Sequence, residues 1–311
     1  MFDIEKRFCK DENLSIKLFQ QPYFTERLEL FGKYDEFMAY LSMIEEEFNG
    51  YESDYLAYYN RVKDSVIDYI KNSEAFQKLN NDDMSKYSTT HSLPQRDVYK
   101  EFNIGHKFVS IDLAKANFSA LVHYGVANDC PFFESYNYDD FMRKFTKNEH
   151  IIKSKYIRQV VFGNCNPKRQ TKYESFLMDG LVSLLCSLLL IKYETDIYSL
   201  NTDEVIINVD NYTDSEITAL RKFIDTFSKK NYPLHFTYFT LGKVLNSDAY
   251  IKKFDDESVE LKCVCPEEAP YLYRLLKGEE PTENDSVFEY RGQLAKFLDV
   301  PKYEITYSAR K

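Results

Sequence analysis

The sequence predicts an α+β fold, and three observations carry that expectation. Residues 34–80 place aromatic and aliphatic side chains at three- and four-residue spacing between acids and lysines, as amphipathic helices do. A polar, breaker-rich stretch, LNNDDMSKYSTTHSLPQRD at 79–97, then interrupts the helical pattern. Beyond it the chain reads strand, helix, helical hairpin, strand, helix, strand, strand.

The elements follow in order. YDEFMAYLSMIEEEF and YLAYYNRVKDSVIDYI supply the N-terminal helices. KFVSIDL at 107–113 is a strand, and AKANFSALVHYG turns into a helix whose end is expected at Gly125. Residues 138–162 read as helix. Gly163 can close that helix, Asn166 can cap the next, and Pro167 suits a first helical position, so 167–193 completes a helical hairpin. DEVIINVDNY at 203–212 is a β-branched strand leading into a turn. TDSEITALRKFIDTFSKK opens with a capping box, Thr213 and Glu216. LHFTYFTLGKV and SVELKCVC are further strands.

Composition narrows the function classes. Hydrophobic residues at 44% and charged residues at 29% describe a globular chain. A net charge of -10 argues against a surface covered in nucleic-acid contacts, but not against one local basic groove. The N-terminus, MFDIEKRF, lacks the apolar core of a signal peptide, and LVSLLCSLLLI at 181–191 is too short to span a bilayer. None of the six cysteines forms a C-x-x-C pair, and Cys263 and Cys265 supply too few ligands for zinc. Free thiols in a cytoplasmic protein without a membrane partner are expected.

Two acids stand out. Asp112 and Asp210 each follow an apolar run, V-S-I-D and I-I-N-V-D. Emerging at one edge of a shared sheet, they would supply the oxygen ligands that Mg²⁺ or Mn²⁺ takes when substrate phosphates complete its shell. Asp214 is a rival to Asp210, although it falls in the first turn of a capped helix, where an acid meets the helix dipole favourably. Lys168, Arg169 and Lys172 crowd the opposite sign into another helix start, which suits a nearby anion.

These residues also carry a family resemblance. SIDLAKANFSAL resembles motif A of the palm domain of family B DNA polymerases, D-x-x-S-L-Y-P-S-I, with Asp112 and Ser119 matching. VIINVDNYTDS is similar to motif C, Y-x-D-T-D-S in that family or Y-x-D-D in reverse transcriptases. YIKKFDDESVELKCV is similar to the K-K-x-Y segment that grips the primer–template duplex, which implies nucleic-acid contacts for Lys252 and Lys253. Asn117 stands where the family places a Tyr or Phe under the sugar, with Phe118 next to it, and Asn211 stands where Y-x-D-D has its second acid.

The resemblance implies a polymerase-like palm over 101–265, a ferredoxin-like antiparallel sheet with packed helices. A fingers-like helical hairpin, about 138–193, would present Arg158, Lys168, Arg169 and Lys172, with Asn117 and Phe118, to a nucleoside triphosphate. A mainly helical region, 1–100, precedes the palm, and a thumb-like or partner-binding segment, 266–311, follows it. The implied activity is nucleotide addition to a 3′-hydroxyl of a primer or primer–template by a two-metal mechanism, catalysed by Asp112 and Asp210, without proofreading. A protein partner could supply the missing thumb or exonuclease functions. The alternative is a catalytically inactive palm-fold subunit that binds nucleic acid or a replication partner.

Overall fold

Side-chain caps and apolar spacing decide where the helices start and stop. In the computed structural model, which describes residues 3–91, 97–189, 191–299 and 302–308, the chain opens with α1 (Asp3–Asp11), α2 (Phe24–Leu30), α3 (Tyr34–Phe48), α4 (Glu52–Lys71) and α5 (Glu74–Asn81). The stretch read as helical over 34–80 is therefore three helices. Asn49 ends the first in the left-handed conformation, and the Ser73 side chain starts the third by accepting the Phe76 N–H. α4 buries Tyr55, Tyr59, Val62, Val66 and Ile70, one stripe of a helical face. The breaker-rich stretch leaves α5 at Asp82, and its residues 92–96 lie outside the described residues.

Strand β1 (Lys107–Leu113) matches the sequence reading, and α6 (Ala116–Ala127) follows it. The helix end expected at Gly125 is displaced to Ala127. Gly125 instead admits a close crossing: a Cβ there would lie 2.9 Å from the Cys130 carbonyl oxygen and from the Phe132 nitrogen. The helix expected at 138–162 divides into α7 (Tyr138–Met142), α8 (Glu149–Lys153) and α9 (Lys155–Gly163). Asn148 and Ser154 each cap a new start by accepting the N–H of Ile151 and Ile157. Pro167 opens α10 (Pro167–Leu188), while Asn166 adopts φ 58° and bonds Asn80 rather than capping the helix.

The chain then forms α11 (Tyr193–Asp196), β2 (Ile197–Leu200), β3 (Glu204–Asn208), α12 (Asp214–Lys230) and β4 (Leu234–Leu245). The capping box of Thr213 and Glu216 is present. After β5 (Tyr250–Phe254) and β6 (Val259–Lys262) come α13 (Ala269–Lys277), the hairpin β7 (Val287–Tyr290) and β8 (Gln293–Lys296), and β9 (Glu304–Thr306).

These strands build a mostly helix-backed, seven-stranded antiparallel sheet in the order β2-β3-β1-β4-β5-β6, with β9 beside β4. The fold is thus α+β. β3 lies between β1 and β2, and β4 flanks β1 on its other side, so the β1-helix-β2 unit is split by an intervening strand. Side chains alternate across the sheet. Val109, Ile111 and Leu113 join the large core shared with the helices, whereas Phe108, Ile206, Phe239 and Leu241 form a smaller core on the opposite face with Val98.

The C-terminal segment folds back on the N-terminal helices. Arg27 in α2 donates to Asp285 at 2.9 Å, and both side chains are almost fully buried. Arg274 of α13 donates to the other oxygen of Asp285 at 3.2 Å. Among the described residues, no helix is long and apolar enough to cross a membrane.

Candidate functional site at the carboxyl end of strand β1

Asp112 is placed by two backbone pairings at the end of the central strand. Its Cα lies opposite Glu204 on one side and His235 on the other. One residue on, the Leu113 N–H donates to the Asp203 carbonyl at 2.8 Å. Leu113 and Asp203 therefore form the hydrogen-bonded pair, and Asp112 and Glu204 form the closer, non-hydrogen-bonded pair, with Cα atoms about 4.5 Å apart. Asp203 belongs to the turn Asn201-Thr202-Asp203 between β2 and β3, closed by the Asn201 N–H donating to the Glu204 carbonyl at 2.7 Å. Asn, Thr and Asp suit such a turn because their side chains tolerate its backbone geometry.

Three acids thus occupy neighbouring backbone positions at one corner of the sheet, and they differ in what holds them. The Glu204 carboxylate accepts the Ser110 hydroxyl at 2.6 Å, and the buried Lys252 ammonium stands 4.0 Å away, above the Phe239 ring. Asp112 and Asp203 receive no hydrogen bond or ion pair from another described side chain. Burial pushes the Asp112 carboxyl above its usual range; His235 and Lys252 pull it down, while Glu204 and Asp203 push it up. Desolvation is also the main cause of the rise at Asp203, although the residue as a whole stays at the surface. Glu204 adds to that rise, and Lys155 opposes it.

A fourth acid approaches from α10. Glu174 is buried and accepts the Asn117 amide at 3.0 Å. Desolvation first, and the negative charge of Asp203 second, push its carboxyl up to about 7 against the pull of Asn117. The corner is therefore richer in carboxylates than its protein cations can neutralise.

Hard oxygen donors that no other described side chain bonds suit a divalent cation such as Mg²⁺, which needs only one or two carboxylates when water and phosphate complete its shell. Among the described residues, no group of three or more His, Cys, Asp or Glu side chains is arranged as a metal cage. The donor set fits a metal shared with a substrate and does not fit a closed structural site.

Asp210 is not brought to this corner. It lies in a turn beyond the end of β3, where it accepts the Lys107 N–H at 2.7 Å, the Asn208 amide at 3.0 Å and the His106 ring. Lys107 starts β1 and Asp112 is five residues further on, so about 17 Å of extended strand separates the two carboxylates. One metal cannot bridge them. The reason is directional: β1 and β3 run antiparallel, so acids at the carboxyl ends of both strands fall at opposite ends of the pair. Asp214 begins α12, as its place in the capped first turn implies.

The other sequence candidates scatter. Phe118 is buried and packs against Phe133, Tyr138, Phe141 and Phe162, so its ring is core and cannot meet a nucleotide. Asn117, one residue earlier, does face Glu174. Arg158 is half-buried with its guanidinium over Tyr138. Arg169 donates to the carbonyls of Leu79 and Asp82, which ties α10 to the end of α5. Lys168 and Lys172 are exposed. Lys252 lies beside Glu204, whereas its neighbour Lys253 pairs with Glu257 at 2.6 Å on the surface.

No family model matches the chain, and no curated protein matches its sequence. The site therefore rests on its own geometry.

Sequence reasoning missed Asp203, Glu204 and Glu174. The signal for the first two is the string SLNTDEVII: a turn tripeptide ending in T-D between two short apolar runs. The four-residue strand β2 is too short to show a clear alternation, which hid the hairpin.

Proposed function

We propose that this chain is a nucleotidyltransferase, a compact polymerase-like enzyme that adds nucleotides to a 3′-hydroxyl, with its sheet serving as a ferredoxin-like palm. The observation that carries the reading is the backbone pairing that sets Asp112, at the end of the central strand, beside the hairpin turn that holds Asp203, with neither carboxylate bonded by another described side chain. The split arrangement of β1, β2, β3 and β4 supports it, because it sets a strand-end acid and a turn acid at one corner of an antiparallel sheet. The resemblance of SIDLAKANFSAL to polymerase motif A supports it further, and the T-D of the hairpin turn takes the place first given to Asp210 in motif C.

Asp112 and Asp203 would hold Mg²⁺ or Mn²⁺. Bound there, the metal would supply a lowered pKa for a hydroxyl nucleophile and a counter-charge for a transferring phosphoryl group. Ser110 and Lys252 hold Glu204 in place beneath Asp112 and limit the negative charge of the corner. Lys155 on α9, whose charge acts on Asp203, is the cation best placed to orient a triphosphate, with Arg158 one turn further along α9 and Lys168 and Lys172 on α10.

The test is incorporation of each labelled dNTP and NTP on DNA and RNA primers, with and without template, in Mg²⁺ and Mn²⁺. The expected result is metal-dependent addition that falls by about 100-fold or more in both Asp112→Asn and Asp203→Asn and persists in Asp210→Asn. Absence of addition by the wild-type protein under all of these conditions would end the enzyme reading in favour of a non-catalytic binding subunit.

A further inference from the structure

A cavity of about 400 Å³ opens between α6 and the carboxyl end of α12, and its lining includes His123, Tyr136, Lys229, Lys230 and Asn231. We infer that this cavity receives a single strand of nucleic acid, with a base on Tyr136 and backbone phosphates at Lys229 and Lys230. This inference rests on the nucleotidyltransferase reading and names the strand that such an enzyme would hold.

Charge sets the cavity apart. Four other cavities at the surface carry acidic side chains in their lining, while this one carries none. In a chain of net charge -10, an acid-free hollow with two lysines is an uncommon local environment. Lysines at a helix end complement the helix dipole, so their presence alone has an ordinary cause. That cause does not explain why no acid faces them, nor why Tyr136 stands 77% exposed without a ring or cation partner among the described residues.

Chemistry and position select the occupant. Exposed aromatic faces beside lysines bind single strands by stacking and phosphate contact, with little dependence on sequence. An acidic peptide would use the lysines and leave the Tyr136 ring idle. His123 is partly buried, its Nδ1 is partnered by the Tyr173 hydroxyl, and burial holds its pKa down, so it adds polarity rather than charge. The cavity also adjoins the carboxylate corner: Pro233 in its lining accepts the Ala114 N–H at 2.9 Å, and Ser119 donates to the Ala114 carbonyl at 2.6 Å. Ala114 lies two residues beyond Asp112 in the chain.

The experiment measures binding of fluorescein-labelled oligo(dT) and oligo(U) to the intact protein by anisotropy, across a salt series. The triple variant Tyr136→Ala, Lys229→Glu, Lys230→Glu should bind about tenfold or more weakly, and its log K against log salt should be shallower by about 1.4, the loss of two phosphate contacts on a single strand. Tyr136→Phe with Lys229→Arg and Lys230→Arg should restore both. Should the triple variant misfold by its melting curve, the single variants Tyr136→Ala and Lys229→Glu carry the same comparison. Unchanged binding in the variants would overturn the inference, as would displacement of the oligonucleotide by poly-glutamate as effective as displacement by unlabelled oligonucleotide. Asp112→Asn should bind like wild type. Loss of incorporation throughout, with pocket-dependent binding intact, would remove the enzyme reading and leave the strand site standing.

Discussion

The Leu113 N–H donates to the Asp203 carbonyl at 2.8 Å, and this one backbone bond sets the Asp203 turn beside the end of the central strand. Because the bond is made by main chain, substitution of the Asp203 side chain leaves it intact. Asp203→Asn should therefore keep the fold and remove a carboxylate from the corner. Millimolar Mg²⁺ should raise the melting temperature of the wild type and leave that of Asp112→Asn or Asp203→Asn unchanged, as differential scanning fluorimetry would read. Without metal, either variant should melt at or slightly above the wild-type temperature, since each relieves repulsion between neighbouring acids.

Glu174 makes stability depend on pH. Its carboxyl rises from an ordinary 4.5 to about 7 in the folded chain, so the folded state holds a proton that the unfolded state releases. Its contribution is fully present below the unfolded value and is lost as pH rises from about 4.5 to about 7, by as much as about 3 kcal/mol. Glu174→Gln keeps an acceptor for Asn117 and should flatten this part of the profile. Urea denaturation at pH 5 and pH 8, wild type against variant, measures the difference.

Asp210 has the opposite sign. Burial alone would raise its carboxyl, but the Lys107 N–H, His106 and Asn208 together hold it below the ordinary range. Its contribution is present at neutral pH and is lost as pH falls through that depressed value. Asp210→Ala should cost about 0.5–1.5 kcal/mol at pH 7 by removing the acceptor of the exposed Lys107 N–H, read by urea denaturation. Incorporation per folded molecule should not change.

Arg27 and Asp285 form a buried pair, 1% and 0% exposed at the side chain. Asp285→Ala leaves a buried cation without its carboxylate and should cost about 3–5 kcal/mol, whereas Arg27→Ala should cost less, because Arg274 still bonds Asp285. Replacing both with apolar residues of similar volume should recover much of the loss. Equilibrium denaturation of the two single variants and the double variant decides this.

Local signals in the sequence foretold β1, the capping box of α12 and the Pro167 helix start, because period and capping chemistry are fixed within a few residues. The path of α6 past Gly125 was illegible, since its cause is a chain segment that crosses over it at Cys130 and Phe132. The site was half legible for a similar reason. Asp112 stood out by its strand-end position, but its partner depended on which way β3 runs beside β1. An antiparallel neighbour meets the end of β1 with its own beginning, so the acid to seek lay before the Val205-Ile206-Ile207 run and not after it. Lys252 was singled out for a duplex contact, yet its burial beside Glu204 depends on pairing across β4 and could not be read from KKF alone.

The Arg27–Asp285 pair also bears on the order of events during synthesis. Its members are 258 residues apart, so at about 5–20 residues per second Arg27 leaves the ribosome roughly 10–50 s before Asp285 exists. Throughout that interval the Arg27 guanidinium lacks the carboxylate that it bonds in the folded chain, and only Glu26 of its own helix offsets its charge. The packing of α2 that buries this pair can therefore close only after residue 285 has been made, so the earliest helix of the pair waits for one of the latest segments to be synthesised.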